Sequence, residues 1–171
     1  MNADRRIALV IHNVRSAANV GSMLRTADGA GVSQVWLSGY TPTPASPGCR
    51  YLTRAEKSLA KAALGAEYSI DWRHSRTIGT ALARLRAEGY HLVALEQSDR
   101  SIDLDQVSRT AGDVAIIVGN EVRGIDTRIL VRCDAIVELP MHGRKHSLNV
   151  AVAAGIALYT IRGTMKKTNI L

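Results

Sequence analysis

The stretch IALVIHNVRSAANVGSMLRTA, residues 7–27, begins with an apolar run and continues with apolar residues at helical spacing. Residues 7–11 are all apolar, which is typical of a strand buried on both faces of a parallel sheet. Asn19 is predicted to cap a helix that carries Val20, Leu24 and Ala27 on one stripe. A strand followed directly by a helix predicts the beginning of an α/β fold.

The same alternation continues along the rest of the chain. Further strands are predicted at residues 34–37, 91–95, 114–118 and 135–137, and further helices at 53–64, 75–88, 127–132 and 147–161. Three of the four prolines fall in residues 39–50, which predicts a surface loop. The order of elements predicts an α/β fold with one open, mostly parallel sheet and helices on both faces. The length of 171 residues fits a single domain over residues 1–171.

The composition restricts the class of protein. Lys and Arg number 22 against 15 Asp and Glu, and this net charge of +7 favours a polyanionic partner such as nucleic acid. Charge alone does not decide between such a protein and a basic enzyme that has no polyanionic partner. Hydrophobic residues make up 46% of the chain, which excludes a disordered protein. The longest apolar segment, residues 148–161, is shorter than the ~20 residues that span a bilayer, so no membrane association is expected.

The cysteine content indicates the compartment. Cys49 and Cys133 form no Cys-x-x-Cys pair and no Cys/His cluster, so neither a zinc site nor a disulfide framework is expected. The apolar run near the N-terminus is too short for a signal peptide. We therefore expect both cysteines to be reduced thiols in a cytoplasmic protein.

Ligand sites in open α/β sheets lie outside the carboxyl ends of the strands. In this chain the predicted strand ends carry polar or glycine-containing sequence at residues 12–13, 95–96, 119–121 and 139–141. The dinucleotide pattern Gly-x-Gly-x-x-Gly and the phosphate-loop pattern Gly-x-x-x-x-Gly-Lys-Ser/Thr are both absent, which argues against a nicotinamide- or ATP-binding enzyme. The Gly-x-Ser-x-Gly motif of serine hydrolases is absent too.

Three segments contain unusual residues: NVRSAANVGSMLR at 13–25, VGNEVRG at 118–124 and LPMHGRKHSLN at 139–149. In the first, Gly21 permits the close approach of a backbone or a ligand, and Arg25 is either a surface arginine or a functional one. In the second, Glu121 is either a carboxylate at a helix start or an acceptor for a ligand or a partner's arginine. In the third, an N-cap explains Ser147 but does not explain Asn149.

Together and in this order, the three segments resemble the SpoU family of RNA ribose 2′-O-methyltransferases, of the SPOUT class, over about residues 7–160. The matching positions are Asn19, Val20, Gly21, Arg25, Thr26 and Ala27, then Gly119, Asn120, Glu121 and Gly124, then Leu139, Pro140, Met141, Gly143, Ser147, Leu148, Asn149 and Val150. The resemblance implies a C-terminal deep trefoil knot within the α/β fold. Ala18 and Leu139 differ from the residues common in the family, and neither difference alters a reactive group.

The resemblance also implies the chemistry. S-adenosylmethionine would donate a methyl group to a ribose 2′-hydroxyl of tRNA or rRNA, with S-adenosylhomocysteine as product and without a metal. A guanidinium normally stays protonated, so Arg25 is expected to stabilise the developing alkoxide and to bind the neighbouring phosphate. Asn19 and Asn149 would orient the ribose or Arg25, and Glu121 would hold Arg25 or the loop geometry.

The binding residues follow in the same way. The implied cofactor positions are Leu95, Gly119, Leu139, Met141, Ser147 and Leu148. Arg15, Arg144 and Lys145 are candidate phosphate contacts, and each is equally well explained as a solvated surface residue. Without a separate RNA-binding domain, recognition would fall to the catalytic domain, acting as a homodimer. Ala151, Ala154 and Ala157 are candidates for the contact between subunits, unless the helix is buried within one chain.

Two other functions stay open at this point. A non-catalytic RNA-binding protein on the same fold would use the basic ends of the chain and would not transfer a methyl group. A different nucleotide-binding α/β enzyme, such as a small-molecule methyltransferase, would not need RNA. The choice between tRNA and rRNA is also open.

Overall fold

Seven parallel strands form one sheet at the centre of the computed structural model, which describes residues 5–108 and 112–163. The strands are β1 (Ile7–His12), β2 (Gln34–Ser38), β3 (Trp72–Ser75), β4 (His91–Leu95), β5 (Ile102–Asp103), β6 (Val114–Val118) and β7 (Ala135–Glu138). Their order across the sheet is β3-β2-β1-β6-β4-β7-β5, and all six pairings are parallel. The predicted α/β fold with a parallel sheet is confirmed.

Helices cover both faces of the sheet. They are α1 (Ala17–Gly29), α2 (Arg54–Ala63), α3 (Ala66–Ser69), α4 (Ile78–Ala87), α5 (Leu104–Ser108), α6 (Thr127–Leu130) and α7 (Val150–Arg162). Side chains of β1 alternate between two cores, because successive residues of a strand point to opposite faces. Ile7, Leu9 and Ile11 pack with α1, α2, α5 and α7, whereas Ala8 and Val10 pack with α4 and α6.

The strands that the sequence did not predict are the two edge strands, β3 and β5. In β3 only Ser75 is buried, while Arg73 and His74 are exposed, and both residues of Ile102–Asp103 are exposed. An edge strand with little burial has no continuous apolar run, so the signal used for the inner strands is absent there. The helix predicted over 75–88 begins only at Ile78, after β3.

Two predicted helix caps are wrong. The N-cap of α1 is Ser16, whose side chain accepts from the backbone N–H of Asn19, so Asn19 lies inside the helix. The N-cap of α7 is Asn149 rather than Ser147, and the helix begins at Val150. Ser, Asp and Asn cap helices comparably well, so the local sequence does not decide between neighbouring candidates.

Helix α7 lies with one face against the sheet. Ala154 and Ala157 are fully buried within the chain, and Ala151 is partly buried against the same core. The expectation that these alanines contact a second subunit is therefore not met by Ala154 and Ala157. Among the described residues, no helix has both the length and the apolar character needed to cross a bilayer.

Gly21 allows α1 and α2 to pack closely. A Cβ atom at this position would overlap the carbonyl oxygen of Leu59 and lie 2.9 Å from the Cβ of Ala62. The close approach expected from the sequence is thus made by the backbone of α2. Backbone atoms cannot move aside by a rotamer change, so no larger residue fits here without separating the helices.

We expect Gly21→Ala to lower the free energy of unfolding by about 1–3 kcal/mol through overpacking, despite a gain of ~1 kcal/mol in helix propensity. Chemical denaturation would measure the change. Gly155→Ala in α7 is the matched control, because its added Cβ would meet Thr26 Cγ2 at an ordinary 3.4 Å. Equal stability of the two variants would contradict the role assigned to Gly21.

Candidate functional site

Four neighbouring strands bring the three unusual segments together. β1, β6, β4 and β7 are adjacent in the sheet and parallel, so their carboxyl ends lie side by side. The turn into α1 follows β1, the segment with Glu121 follows β6, and the loop that leads to Asn149 follows β7. This edge is where open α/β sheets bind their ligands.

The carboxylate of Glu121 binds the turn between β1 and α1. Its Oε2 accepts from the backbone N–H of Arg15 at 3.0 Å, and its Oε1 accepts from the backbone N–H of Ser16 at 3.0 Å. Oε1 also accepts from Nδ2 of Asn19 at 3.2 Å. Of the two roles considered for Glu121, the structure places the carboxylate on the loop and not on Arg25.

Asn149 connects this group to α7. Its Nδ2 donates to Oδ1 of Asn19 at 3.1 Å, while its Oδ1 accepts from the backbone N–H of Ala151 at 2.8 Å. Glu121, Asn19 and Asn149 thus form a continuous chain of hydrogen bonds, here called the carboxylate–amide chain. Asn149, which a simple N-cap at Ser147 left unexplained, is both the N-cap of α7 and the last member of the carboxylate–amide chain.

Arg25 lies outside the carboxylate–amide chain. Its side chain is exposed on α1 and lines a cleft with Ser22, Thr26, Gly29, Ala62 and Tyr159, from α1, α2 and α7. Within residues 5–108 and 112–163, its guanidinium forms no hydrogen bond or ion pair. An unpaired guanidinium beside a cleft can bind an external phosphate or a developing anion.

A second cleft, here called the loop cleft, opens between the loops after β4 and β7 and the start of α7. Its cavity volume is about 120 Å³, and its mouth is open to solvent. Its lining combines apolar and polar side chains, namely Leu95, Glu96, Gln97, Glu138, Leu139, Met141, Ser147, Leu148 and Ala153. Five of the six implied cofactor residues therefore lie together. Across the mouth of the cleft, Nε2 of Gln97 donates to the carbonyl of His146 at 2.7 Å.

Gly119 is the sixth implied cofactor residue, and it does not line the loop cleft. It is buried, and a Cβ there would lie 2.6 Å from the carbonyl oxygen of Gly124 and from Cγ1 of Ile125. Asn120 and Gly124 pair as an antiparallel bridge directly after it. In this structure the absence of a side chain at Gly119 serves the tight turn after β6.

Asn120 is a site residue to which no role was assigned from the sequence pattern. It is 8% exposed, and its Nδ2 donates to the carbonyl of Asn13 at 2.9 Å and to the hydroxyl of Tyr40 at 3.1 Å. Its Oδ1 accepts from the backbone N–H groups of Val122 and Arg123. A buried amide with every polar atom satisfied is typical of a fixed turn. An asparagine between Gly119 and Glu121 was the available signal.

The three candidate phosphate contacts are exposed. Arg15 belongs to the turn that Glu121 holds, and Arg144 and Lys145 belong to the loop between β7 and α7. The structure therefore puts all three beside the same edge of the sheet. The described residues contain no group of three or more His, Cys, Asp or Glu side chains that could hold a metal ion.

A model of the SpoU rRNA Methylase family matches residues 6–159. The chain belongs to this family. It is 32% identical over 153 residues to the tRNA (guanosine(18)-2′-O)-methyltransferase of Escherichia coli, a match that covers 90% of this chain and 61% of the relative. It is 34% identical over 163 residues to a 23S rRNA (guanosine(2553)-2′-O)-methyltransferase of Bacillus subtilis, covering 94% and 60%. The chain thus spans about three fifths of the length of these curated relatives.

Solved structures of similar proteins agree with the SpoU assignment. An AdoMet-bound rRNA methyltransferase from Sinorhizobium meliloti superposes with a TM-score of 0.79 at 27% identity, covering 92% of this chain and 56% of that one. A chain from a structural study of the 2-OH methylation of C/U34 on tRNA superposes with a TM-score of 0.71 at 26% identity, covering 92% and 94%.

In this SpoU protein, hydrogen bonding lowers the pKa of the Glu121 carboxyl. Partial burial raises the pKa of the carboxyl, but the backbone N–H groups of Arg15, Glu121 itself and Ser16, with the side chain of Asn19, lower it by more. The pKa therefore lies below its ordinary value of 4.5. A lowered folded-state pKa stabilises the fold above the unfolded-state pKa, and this stabilisation is lost as pH falls through the folded-state value.

We expect Glu121→Gln to reduce the free energy of unfolding at pH 7 by about 1 kcal/mol, because an amide cannot accept all three hydrogen bonds and the site is partly exposed. The difference from the unsubstituted protein should shrink at a second, acidic pH below the lowered folded-state pKa, where the carboxyl itself is protonated. Urea denaturation at both pH values measures this. Asp71→Asn, which removes only an exposed pairing with Arg73, is the control. A difference independent of pH would contradict the assigned role.

Proposed function

We propose that this protein is an S-adenosylmethionine-dependent RNA methyltransferase that methylates a ribose 2′-hydroxyl of tRNA or rRNA. The observation that carries the proposal is the carboxylate–amide chain beside the loop cleft at the carboxyl ends of the strands, on a chain of the SpoU family. The names of relatives that methylate guanosine ribose in tRNA and 23S rRNA support the same reaction.

The loop cleft fits the proposed cofactor in its chemistry. Leu95, Leu139 and Leu148 offer apolar surface to an adenine ring. Glu96 and Glu138 add two carboxylates in a chain of net charge +7, which suits a ligand with a sulfonium and an ammonium group. When bound, S-adenosylmethionine supplies a methyl group on positively charged sulfur and leaves as S-adenosylhomocysteine. The proposed reaction requires no metal.

Arg25 is proposed to act on the ribose. As the 2′-oxygen gains the methyl group, its proton passes to water, and the guanidinium stabilises the negative charge that develops on the oxygen. The same group can bind the adjacent phosphate through two parallel N–H donors. Arg15, Arg144 and Lys145 are proposed to bind further phosphates, and their contribution would weaken with salt. Asn19, Glu121 and Asn149 are proposed to fix the geometry around the ribose.

The direct test incubates the purified protein with S-adenosylmethionine and undermodified total RNA, and then analyses the digested nucleosides by mass spectrometry. A single new 2′-O-methyl nucleoside supports the proposal, and fractionating the RNA identifies the substrate. RNA binding without cofactor binding, measured by calorimetry, would instead support the non-catalytic alternative. Methyl transfer that does not need RNA would support a small-molecule methyltransferase.

We expect Arg25→Ala to abolish methyl transfer while calorimetry shows the cofactor Kd within a few fold of the unsubstituted value, because Arg25 does not line the loop cleft. Arg84→Ala is the matched control, since Arg84 is exposed on α4 and pairs only with Glu88. Near-normal activity of Arg25→Ala would refute the role proposed for this residue.

We further propose that the protein is a homodimer that uses the outer face of α7. Val152, Ile156 and Tyr159 are 52%, 42% and 40% exposed and recur at helical spacing. Tyr159 also lines the cleft of Arg25, so a second copy seated on this face would complete the surroundings of the proposed catalytic residue. A cytoplasmic location, the trefoil knot and the single-domain organisation are proposed on the family resemblance.

The dimer predicts a specific response to charge on α7. Ile156→Glu should shift sedimentation at micromolar concentration from dimer to monomer and reduce methyl transfer, because it buries an unpaired carboxylate in the interface. Val131→Glu, at an apolar residue that is 64% exposed, should leave the sedimentation unchanged. Monomer alone in the unsubstituted protein would reject the proposed interface.

A further inference from the structure

Tyr40 presents an exposed aromatic ring that is fixed at both of its ends. The residue is 57% exposed, yet its hydroxyl accepts a hydrogen bond from Nδ2 of the buried Asn120 at 3.1 Å. Its backbone N–H donates to Oδ1 of Asn13 at 3.2 Å. Tyr51 and Tyr68 are more exposed, and within the described residues their hydroxyls have no partner. Tyr40 therefore combines solvent exposure with a fixed orientation.

The local backbone is arranged to allow this. Gly39 has a φ of 68°, and a Cβ there would overlap Oδ1 of Asn13, so only glycine lets the Asn13 amide reach Tyr40. Nδ2 of Asn13 donates to Nε2 of His12 at 3.0 Å, and Nδ1 of His12 therefore donates to the hydroxyl of Ser38 at 2.8 Å. Burial lowers the pKa of His12, which favours the neutral ring that this arrangement requires.

The ring lies next to the proposed catalytic edge. Asn120, which holds the Tyr40 hydroxyl, directly precedes Glu121 of the carboxylate–amide chain. Two exposed arginines belong to turns of the same hydrogen-bonded network, Arg15 in the turn held by Glu121 and Arg123 in the turn held by Asn120. His74 lies beside Tyr40 in the chain's fold, with its Nε2 3.4 Å from the carbonyl of Gly39. An exposed aromatic face on the same edge as arginine side chains is the kind of surface on which unpaired nucleobases stack.

We propose that Tyr40 stacks against a nucleobase of the RNA next to the methylated ribose, and so positions the target nucleotide. The ring supplies a flat apolar surface, and its fixed orientation reduces the conformational entropy lost on binding. The inference rests on the proposed function, since the base belongs to the RNA that the enzyme methylates. It concerns an unpaired base, because a base in a duplex does not expose its face.

The test compares Tyr40→Leu with Tyr40→Phe, using Tyr51→Leu as the matched exposed control. Binding of undermodified total tRNA and of a short mixed-sequence single-stranded RNA is measured by fluorescence anisotropy. Tyr40→Leu should raise the Kd for both RNAs by about 5- to 150-fold, the range for losing one stacked base. Tyr40→Phe and Tyr51→Leu should each change the RNA Kd less than about threefold. Both variants keep an aromatic ring at position 40.

Two further readouts separate stacking from a structural role. The salt dependence of RNA binding should be unchanged in Tyr40→Leu, because no charge is removed. The cofactor Kd from calorimetry should also be unchanged, since Tyr40 does not line the loop cleft. If Tyr40→Leu fails to fold, ring-current shifts of the Tyr40 ring protons in the unsubstituted protein on adding single-stranded RNA test the same contact.

The possible outcomes distinguish this inference from the proposed function. Methyl transfer to RNA by the unsubstituted protein, together with equal RNA Kd values for Tyr40→Leu and Tyr51→Leu, would overturn the stacking role alone. Ring protons that do not shift on saturation with RNA would do the same. Failure of the unsubstituted protein to transfer methyl groups or to bind RNA would overturn the proposed function and this inference with it.

Discussion

The carboxylate of Glu121 is the contact on which the proposed site depends. It follows β6, yet it accepts hydrogen bonds from Arg15, Ser16 and Asn19 in the turn that starts α1. Through Asn19 the same chain reaches Asn149 and hence the first turn of α7. One carboxylate therefore fixes the relative positions of three segments. The first of them, with Arg15 and Ser16, lies more than one hundred residues before Glu121 in the sequence. A neutral side chain of the same shape cannot accept this many donors.

The parallel sheet makes this convergence possible and brings carboxylates and basic side chains to one edge. The loop cleft, next to β4 and β7, contains Glu96 and Glu138. The same edge presents Arg15 after β1, Arg123 after β6, and Arg144 and Lys145 in the loop after β7. A chain of net charge +7 attracts a polyanion over much of its surface, while two local carboxylates suit a small cation in the cleft.

Asn120 connects the catalytic proposal with the proposed recognition of the base. It is buried, and its amide binds the turn after β6, the carbonyl of Asn13 and the hydroxyl of Tyr40. Movement of this residue would displace Glu121 and Tyr40 together, because low exposure and full hydrogen bonding leave it one position. Ribose chemistry and base positioning would therefore share one rigid support rather than two independent loops.

The sequence by itself determined the inner strands, most helices and the three segments that meet at the site. Residues 7–11 and 114–118 are apolar throughout because those strands are buried on both faces, and that requirement is visible in one dimension. Only the tertiary structure decided the edge strands β3 and β5, the caps Ser16 and Asn149, and the position of Gly119 against the turn after β6. It also decided that Glu121 binds a loop while Arg25 stays unpaired among the described residues. Burial leaves a periodic mark on the sequence, whereas the partner of a polar side chain is set by which distant segments the sheet brings within about 3 Å of it.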